Sequence, residues 1–311
     1  MTYLAHLTIR LASGLGELPE PQRDRHAAFF KKQQQPDGGF AGREGGSDLY
    51  YTSFALRSLA MLGELHGPLA EQAVDFLREK LTSQAPIVDF LSLIYSAQLV
   101  EMAAGLDVFA HAQPNWREAV AGALENLRRD DGGYAKGPDG NASSTYHSFL
   151  VVLCQQLIDL PIIEPDRLAN FIMSQHRDDG GFVEIRAMRR SGTNPTAAAI
   201  GLLKILDRLE TEVAESTVDF LLDMQTDEGG LRANTRIPIA DLLSTFTGML
   251  TLADLGYLNE LDLDAARGYV ASLEQDAGGF FGAAWDQAAD VEYSFYGLGS
   301  LALLVPPGAS G

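Results

Sequence analysis

The sequence has little of what marks a secreted or membrane-spanning protein. It contains a single cysteine, Cys154, in the apolar run FLVVLC, so no disulfide can form within the chain. A buried thiol in a reducing compartment is the favoured interpretation, and we expect a cytoplasmic protein. No apolar run of about 18 residues is free of charge, so we expect no membrane span. The N-terminal residues lack a charged segment before a long apolar core, so no signal peptide is expected.

Positive charge is also scarce. The 311 residues include 23 Lys and Arg against 42 Asp and Glu, which gives a net charge of −19. This balance disfavours direct binding to a nucleic-acid backbone, and we expect no nucleic-acid partner. An acidic surface mainly favours solubility. Apolar residues make up 46% of the chain, an ordinary value for a globular protein with a large core.

What the chain does contain is a recurring Gly-Gly turn. Its five copies read PDGGF at 36–40, DDGGY at 130–134, DDGGF at 178–182, DEGGL at 227–231 and DAGGF at 276–280. The first glycines of successive copies are 94, 48, 49 and 49 residues apart. Because 94 is twice 47, one copy has lost its signature, and the chain is predicted to hold six repeats.

A continuous array needs no internal boundary, so we predict a single domain over residues 1–311. The predicted repeats cover residues 1–64, 65–104, 105–160, 161–209, 210–256 and 257–305. The degenerate turn of the second repeat is placed at Gln84–Ala85–Pro86, because Asp89-Phe-Leu-Ser92 matches Asp241-Leu-Leu-Ser244 further along the chain.

Each repeat carries two helical patterns on either side of the turn. Amphipathic segments with the helical period precede it, at 68–82, 115–129, 164–177, 215–225 and 263–275. More uniformly apolar segments follow it, at 50–62, 145–157, 195–206, 242–255 and 292–304. A helix that is apolar nearly all round is a buried one, so each repeat should pair an outer with an inner helix. Six such pairs could close into two concentric rings.

Aspartates stand at the starts of four of the six inner helices. They are Asp48, Asp89, Asp241 and Asp290. For Asp48, Asp89 and Asp290 we favour a role as N-cap or first-turn residue, which the helix dipole stabilises. At Asp241 the capping role competes with a functional one.

The combination of (Asp/Glu)-Gly-Gly-(Phe/Leu/Tyr), a polar loop and Asp-x-x-Tyr-(Ser/Thr) resembles the repeat of protein prenyltransferase β subunits. Squalene and other class II terpene cyclases share this repeat. The resemblance covers residues from about 30 to about 305. It implies an all-α (α/α)6 toroid, with six inner and six outer helices around a funnel-shaped apolar cavity that holds an isoprenoid chain.

The resemblance also implies a zinc site, which this sequence changes. In the family, zinc activates a cysteine thiolate and takes an Asp and a Cys from an Asp-x-Cys-Tyr-Ser stretch, plus a His that opens the last inner helix. Here the Asp is kept as Asp241, whereas the Cys position is Leu243 and the His position is Tyr293. Zinc requires three protein ligands, and neither replacement supplies one. We therefore predict that the zinc site is lost and that no metal or other cofactor is bound, apart from Mg²⁺ carried by a diphosphate substrate.

Five arginines stand in two adjacent loops. By the resemblance, Arg232 and Arg236 occupy the loop that contacts diphosphate in the family, and Arg186, Arg189 and Arg190 lie in the preceding loop. Guanidinium groups suit diphosphate oxygens because their donors form a planar fork. The alternative is surface pairing with the many carboxylates, which contributes little to stability.

Aromatic residues at the starts of the inner helices are candidates to line the cavity. We assign Tyr51, Tyr146, Phe246, Tyr293 and Tyr296 to substrate binding, since aromatic rings can hold a polyisoprene by packing. Packing between helices is the alternative role. The titratable ring among them, His147, is a candidate catalytic residue, although a lone histidine is more often structural.

A cyclase would need an acid in place of the family's Asp-x-Asp-Asp motif. The corresponding stretch, GTNPTAAA at 192–199, has no acid. Asp290 and Glu292 place two carboxylates at the start of the last inner helix, where they could do acid chemistry in an apolar cavity. The alternative role is an N-terminal cap.

Three functions stay open from the sequence. The first is a prenyltransferase-like enzyme that binds an isoprenoid diphosphate without the usual zinc site. The second is a non-catalytic lipid-binding or protein-interaction toroid. The third is a terpene cyclase that uses Asp290 or Glu292 as its acid. Protein prenyltransferases of this type pair with a helical α subunit, so an α-subunit-like partner is a further expectation of the resemblance.

Overall fold

The computed structural model describes residues 1–81 and 87–305. This part of the chain is mostly helical, with thirteen α-helices, two 3₁₀ helices and two hairpins of two-residue strands. It divides into two compact units. Unit 1 comprises residues 1–116 and the chain from Val270 onward, and unit 2 comprises Arg117–Tyr269. The degenerate turn predicted at Gln84–Ala85–Pro86 lies outside the described residues.

Unit 1 contains both ends of the described chain. Its elements are α1 (Tyr3–Gly16), α2 (Glu20–Lys32), β1 (Phe40–Ala41), β2 (Ser47–Asp48), α3 (Leu49–Met61), α4 (Gly67–Lys80), α5 (Ile87–Ala104), a 3₁₀ helix (Val108–His111) and α13 (Val291–Leu304). Helix α3 packs between α5 and α13, α2 packs against α3, and α4 packs against α5.

Unit 2 repeats the same construction. Its elements are β3 (Tyr134–Ala135), β4 (Ser143–Ser144), α7 (Thr145–Leu157), α8 (Pro165–Ser174), α9 (Thr193–Ile205), α10 (Thr211–Leu222), α11 (Leu242–Leu255) and a 3₁₀ helix (Leu258–Glu260). Helix α9 packs between α7 and α11, α8 packs against α9, and α10 packs against α9 and α11. Helices α6 (Trp116–Glu125) and α12 (Leu263–Leu273) contain the unit boundaries.

The two predicted classes of helix are confirmed. Helices α3, α7, α9, α11 and α13 follow the apolar segments and begin and end within two residues of the prediction. The amphipathic segments correspond to α4, α6, α8, α10 and α12, which end two to four residues earlier than predicted. After α6, α8, α10 and α12 the next residues pair across the Gly-Gly turn instead, as His176 does with Phe182 and Gln225 with Leu231.

The first glycine of each turn is required by both conformation and space. Gly180 and Gly229 have φ of 84° and 94°, a region that L residues with a side chain rarely adopt. A Cβ at Gly180 would overlap the backbone carbonyl of Ser216, and a Cβ at Gly229 would overlap that of Ala265. Each turn therefore lies directly against the next amphipathic helix, which fixes the spacing between consecutive repeats.

A buried hydroxyl ties each turn to its inner helix. The Leu231 N–H donates to Thr245 Oγ1 at 2.9 Å, and the Phe182 N–H donates to Thr196 Oγ1 at 2.8 Å. The same bond links Tyr134 to Ser148, Phe40 to Thr52 and Phe280 to Ser294. Each hydroxyl gives a buried N–H of the turn an acceptor, so the Ser or Thr of the repeat is structural.

Helix α1 is an element that the repeat does not predict. The sequence indicates only a short amphipathic stretch here, but α1 packs on α13 and α3 and buries Leu4, Leu11 and Leu15. The Tyr95 hydroxyl of α5 donates to the Leu4 carbonyl at 3.3 Å. Within the described part of the chain, no helix is both long enough and apolar enough to cross a membrane.

Candidate functional site

The predicted cap role of Asp48 and Asp290 is confirmed, and Asp241 also caps its helix. Asp48 accepts from the Tyr51 N–H at 2.7 Å, Asp241 from the Ser244 N–H at 2.7 Å and Asp290 from the Tyr293 N–H at 2.8 Å. Asp89 lies in the first turn of α5. Each carboxylate thus meets the positive end of a helix, which accounts for its position without chemistry.

Asp241 is further engaged by Ser244, whose hydroxyl donates to its second oxygen at 2.8 Å. Burial raises the pKa of Asp241, although the hydrogen bonds from Ser244 oppose that effect. The neighbouring Leu243 has no donor atom, and among residues 1–81 and 87–305 no group of three His, Cys, Asp or Glu could hold a metal. The side chains around Asp241 do not fit a tetrahedral zinc ion. Loss of the zinc site stays a prediction.

Asp290 is held by an ion pair in unit 1. Arg43 Nε lies 2.6 Å from Asp290 Oδ2, and Arg43 Nη1 lies 2.7 Å from Asp286 Oδ1. The hydrogen bonds from Arg43 lower the pKa of Asp286 to about 2. The Arg43 guanidinium also lies over the Tyr293 ring, 5.6 Å from its centroid. Asp290 therefore serves as both cap and ion-pair partner.

Glu292, the other predicted acid, lies among aromatic side chains. It accepts from the Tyr50 hydroxyl at 2.6 Å and from the Tyr296 hydroxyl at 3.5 Å. Burial raises the pKa of Glu292, and the hydrogen bond from Tyr50 opposes this. The surroundings of Glu292 therefore favour its protonated form.

An arginine that the sequence analysis missed lies in the same aromatic group. The Arg57 guanidinium lies 4.2 Å from the Phe54 ring centroid and 4.4 Å from that of Phe295. The Phe54 ring also contacts Tyr50 and Tyr296, with centroids 4.9 and 5.4 Å apart. The available signal was a single charged residue inside an otherwise apolar inner helix. Tyr51 contacts Tyr50 on the same helix, 5.3 Å between centroids.

The predicted arginines of unit 2 lie on two neighbouring loops. Arg190 Nη1 donates to Thr235 Oγ1 at 3.2 Å, and the Thr193 N–H donates to the Ala233 carbonyl at 2.9 Å. Arg186, Arg189, Arg190 and Arg236 are exposed on these loops, which we call the arginine loops (184–191 and 232–240). The fifth predicted residue, Arg232, donates to the Asp223 carbonyl at the end of α10 instead.

His147 belongs to a hydrogen-bonded group at the start of α7. Its Nδ1 lies 2.8 Å from the Ser144 hydroxyl, and that hydroxyl donates to Glu184. Burial and the nearby Lys136 charge lower the pKa of His147, whereas burial raises the pKa of Glu184. Tyr146 is 40% exposed beside the imidazole, and Phe246 is buried in α11. Glu184 was missed because it lies 40 residues after Ser144 in the sequence, beyond the next Gly-Gly turn, and no local pattern links the two residues.

Comparison with known proteins places this arrangement in a family. The chain matches the prenyltransferase alpha-alpha toroid domain over residues 1–88 and 93–309. It belongs to the prenyltransferase alpha-alpha toroid domain family. The β subunit of protein farnesyltransferase from Pisum sativum is 30% identical over 190 residues, which is 58% of this chain. That alignment covers 43% of the pea protein, so the chain spans less than half the length of this relative.

Solved structures show the same fold. The protein geranylgeranyltransferase-I of Candida albicans complexed with GGPP superposes with a TM-score of 0.72 at 18% identity, over 90% of each chain. The type II terpene cyclase MstE from Scytonema, in complex with geranylgeranyl dihydroxybenzoate, gives a TM-score of 0.62 at 14% identity. That alignment covers 97% of this chain and 99% of the cyclase. The predicted resemblance to both groups of proteins is confirmed, and the fold does not choose between their chemistries.

Proposed function

We propose that this protein binds an isoprenoid diphosphate and transfers its prenyl group to an acceptor without the zinc site of protein prenyltransferases. The observation that carries the proposal is the pair of arginine loops in unit 2. Four exposed arginines lie on two loops joined by the bond from Arg190 to Thr235, in a chain of net charge −19. A basic surface on an acidic protein favours an anionic ligand.

The ligand class follows from the relatives. Farnesyltransferase and geranylgeranyltransferase act on prenyl groups by name, and the Candida albicans structure holds GGPP. A diphosphate offers several oxygens to the paired donors of each guanidinium, and Mg²⁺ would offset part of the negative charge of the diphosphate. The proposal includes six inner and six outer helices in repeats of about 48 residues, a cytoplasmic location and an α-subunit-like partner.

Calorimetric titration with farnesyl and geranylgeranyl diphosphate, with and without Mg²⁺ and Zn²⁺, tests the proposal. We expect micromolar binding that does not depend on Zn²⁺. A hydrogen bond to a charged group contributes about 1.5 to 3 kcal/mol. Two such groups together contribute about 3 to 6 kcal/mol, so the double variant Arg190→Ala/Arg236→Ala should weaken binding by roughly 100-fold to 10,000-fold. Arg232→Ala should have a smaller effect, because Arg232 is already bonded to Asp223.

Arg267→Ala is the control, because it removes a guanidinium that lies on α12, outside the arginine loops, and pairs with Asp264. Its binding should equal that of the wild type. Absence of binding by the wild-type protein under all four conditions would refute the proposal. Equal loss in the control and in the double variant would show that overall charge, rather than a site, governs binding.

Glu292 supports a second candidate, an acid-initiated terpene cyclase. A half-buried carboxyl among aromatic rings could protonate an alkene, and the rings could stabilise the resulting cation. The product separates the two candidates, since cyclisation rearranges the carbon skeleton and transfer retains it. A cyclised product that disappears in Glu292→Gln would favour the cyclase. Tight binding without any product would favour a non-catalytic lipid-binding toroid.

A further inference from the structure

A chain of three side chains in unit 2 fixes the orientation of the His147 imidazole. Ser144, the N-cap residue of α7, is buried and lies between the other two. Its hydroxyl contacts Glu184 Oε1 on one side and His147 Nδ1, at 2.8 Å, on the other. The second Glu184 oxygen accepts from the Tyr146 N–H at 3.3 Å.

The direction of each proton follows from the groups involved. A carboxylate can only accept, so the single proton of the Ser144 hydroxyl points to Glu184. The Ser144 hydroxyl oxygen also accepts from the backbone N–H of His147 at 3.0 Å. Its remaining lone pair faces Nδ1, and that nitrogen must therefore carry a proton. This tautomer leaves a lone pair on Nε2, because a neutral imidazole has one N–H.

The surroundings of His147 also keep the ring neutral. It is the third residue of α7, where the positive end of the helix disfavours an imidazolium. Burial and the charge of Lys136, on the loop after β3, act in the same direction, whereas Glu184 acts through Ser144 and favours the charged ring. Within residues 1–81 and 87–305, no group is hydrogen-bonded to Nε2. The result is a half-buried, neutral imidazole with an available lone pair beside the exposed Tyr146.

We propose that His147 is the general base that activates the acceptor, with Ser144 and Glu184 as positioning residues. This inference rests on the proposed prenyl transfer. In the step, the acceptor proton moves to Nε2, a bond forms between the acceptor atom and C1 of the prenyl group, and the C1–O bond breaks with its electron pair leaving on the diphosphate. The imidazolium then returns its proton to solvent.

The pKa of a neutral imidazole limits the acceptor class. Ordinary thiols and phenols have pKa values of about 8.5 and about 10, within reach of histidine, whereas aliphatic alcohols are far weaker acids. The acceptor is therefore assigned as a thiol or a phenol. A base of this kind supplies what the lost zinc site would otherwise provide, which is the anionic form of the acceptor.

The first test needs no substrate. In protein labelled with ¹⁵N at histidine, the His147 signals are assigned by their absence from His147→Gln. At pH 7 we expect Nδ1 protonated and Nε2 unprotonated. Glu184→Gln and Ser144→Ala should each shift the ring toward a mixture of tautomers, and Ser144→Thr should restore the wild-type pattern. A protonated Nε2 in the wild type at pH 7 would overturn the proposal.

The second test is kinetic. With a thiol or phenol acceptor, His147→Gln should lower kcat by roughly 100-fold to 10,000-fold while calorimetric binding of the prenyl diphosphate is retained. The rate of the wild type should rise with pH through the lowered pKa of His147, and this acid limb should lie below pH 6.5. The acid limb should be lost in His147→Gln. Glu184→Gln should move its midpoint, which a purely structural role would not do.

His176→Gln is the matched control, because His176 is another half-buried histidine of unit 2 that contacts Phe182 and Ser216. Its kcat and pH profile should match the wild type. Unchanged kcat in His147→Gln, with diphosphate binding intact, would overturn the base while leaving the proposed function in place. Failure of the wild-type protein to bind any prenyl diphosphate would remove the proposed function, and the base with it.

Discussion

The carboxylate of Glu274 joins the first and last repeats within unit 1, and its replacement should destabilise the protein in a pH-dependent way. Glu274 accepts from Gln22 Nε2 at 2.9 Å and from His26 Nε2 at 3.0 Å, and it pairs with Arg25. His26 is fully buried, and its Nδ1 accepts from the Gly279 N–H at 3.1 Å. His26 therefore links Glu274 to the Gly279 backbone through its two ring nitrogens.

The magnitude follows from the pKa of Glu274. Burial alone would raise this pKa, but the hydrogen bonds from His26, Arg25 and Gln22 lower it from 4.5 to about 2. At about 1.4 kcal/mol for each pKa unit, the upper limit is about 3 kcal/mol. Solvent screening reduces this, so we expect Glu274→Gln to cost about 2 kcal/mol of unfolding free energy at pH 7.

The pH dependence gives the prediction its sign. Because the folded-state pKa is depressed, the stabilisation is complete above the unfolded pKa of about 4.5 and is lost as the pH falls toward about 2. The difference between Glu274→Gln and wild type, measured by urea unfolding, should therefore shrink from pH 6 to pH 3. Asp264→Asn, which removes an exposed ion pair with Arg267, should cost less than about 1 kcal/mol. A difference that stays constant from pH 7 to pH 3 would refute this reasoning.

Two further predictions concern the repeat itself. Gly229→Ala should destabilise the fold by roughly 3 kcal/mol in urea unfolding, because it combines a positive φ with overlap against the Ala265 carbonyl. Gly256→Ala, with a similar φ but open space around it, should cost only about 1 kcal/mol, and equal costs would contradict the steric explanation. Thr245→Val should cost about 1 to 3 kcal/mol, because the buried Leu231 N–H loses its acceptor, and Thr245→Ser should recover most of that loss.

The repeat could be predicted from the sequence because its determinants are local. A positive φ and a close approach between chain segments both require glycine, so the turns are visible as Gly-Gly pairs. The aspartate caps were equally predictable, since a cap needs only a short side chain with an acceptor oxygen just before the first residue of a helix. The apolar content of each segment then separated inner helices from outer ones.

The contents of the candidate site were less predictable because they depend on contacts between distant residues. The position of Arg57 between Phe54 and Phe295 joins helices at opposite ends of the chain. The bond from Ser144 to Glu184 spans two repeats. Arg232 is a third case. The sequence groups it with the other arginines of its loop, but its guanidinium donates to the backbone carbonyl of Asp223. None of these pairings has a periodic signature.

The repeats also provide an internal comparison for His147. Where the N-cap residue of an inner helix is an aspartate, as at Asp241 and Asp290, the carboxylate is occupied by the helix terminus. In α9 the cap is Gly192, which offers no side chain. In α7 it is Ser144, which caps the helix and still has capacity to bond Glu184 and the imidazole. An aspartate would cap α7 equally well, so capping alone does not explain the serine. The serine differs from an aspartate in its effect on the protonation of the His147 ring. The serine places a proton on Nδ1 of His147 and leaves a lone pair on Nε2. An aspartate facing Nδ1 would also hold that proton, but its negative charge would favour the charged form of the ring. The departure from the repeat is thus better explained by a neutral base than by folding alone.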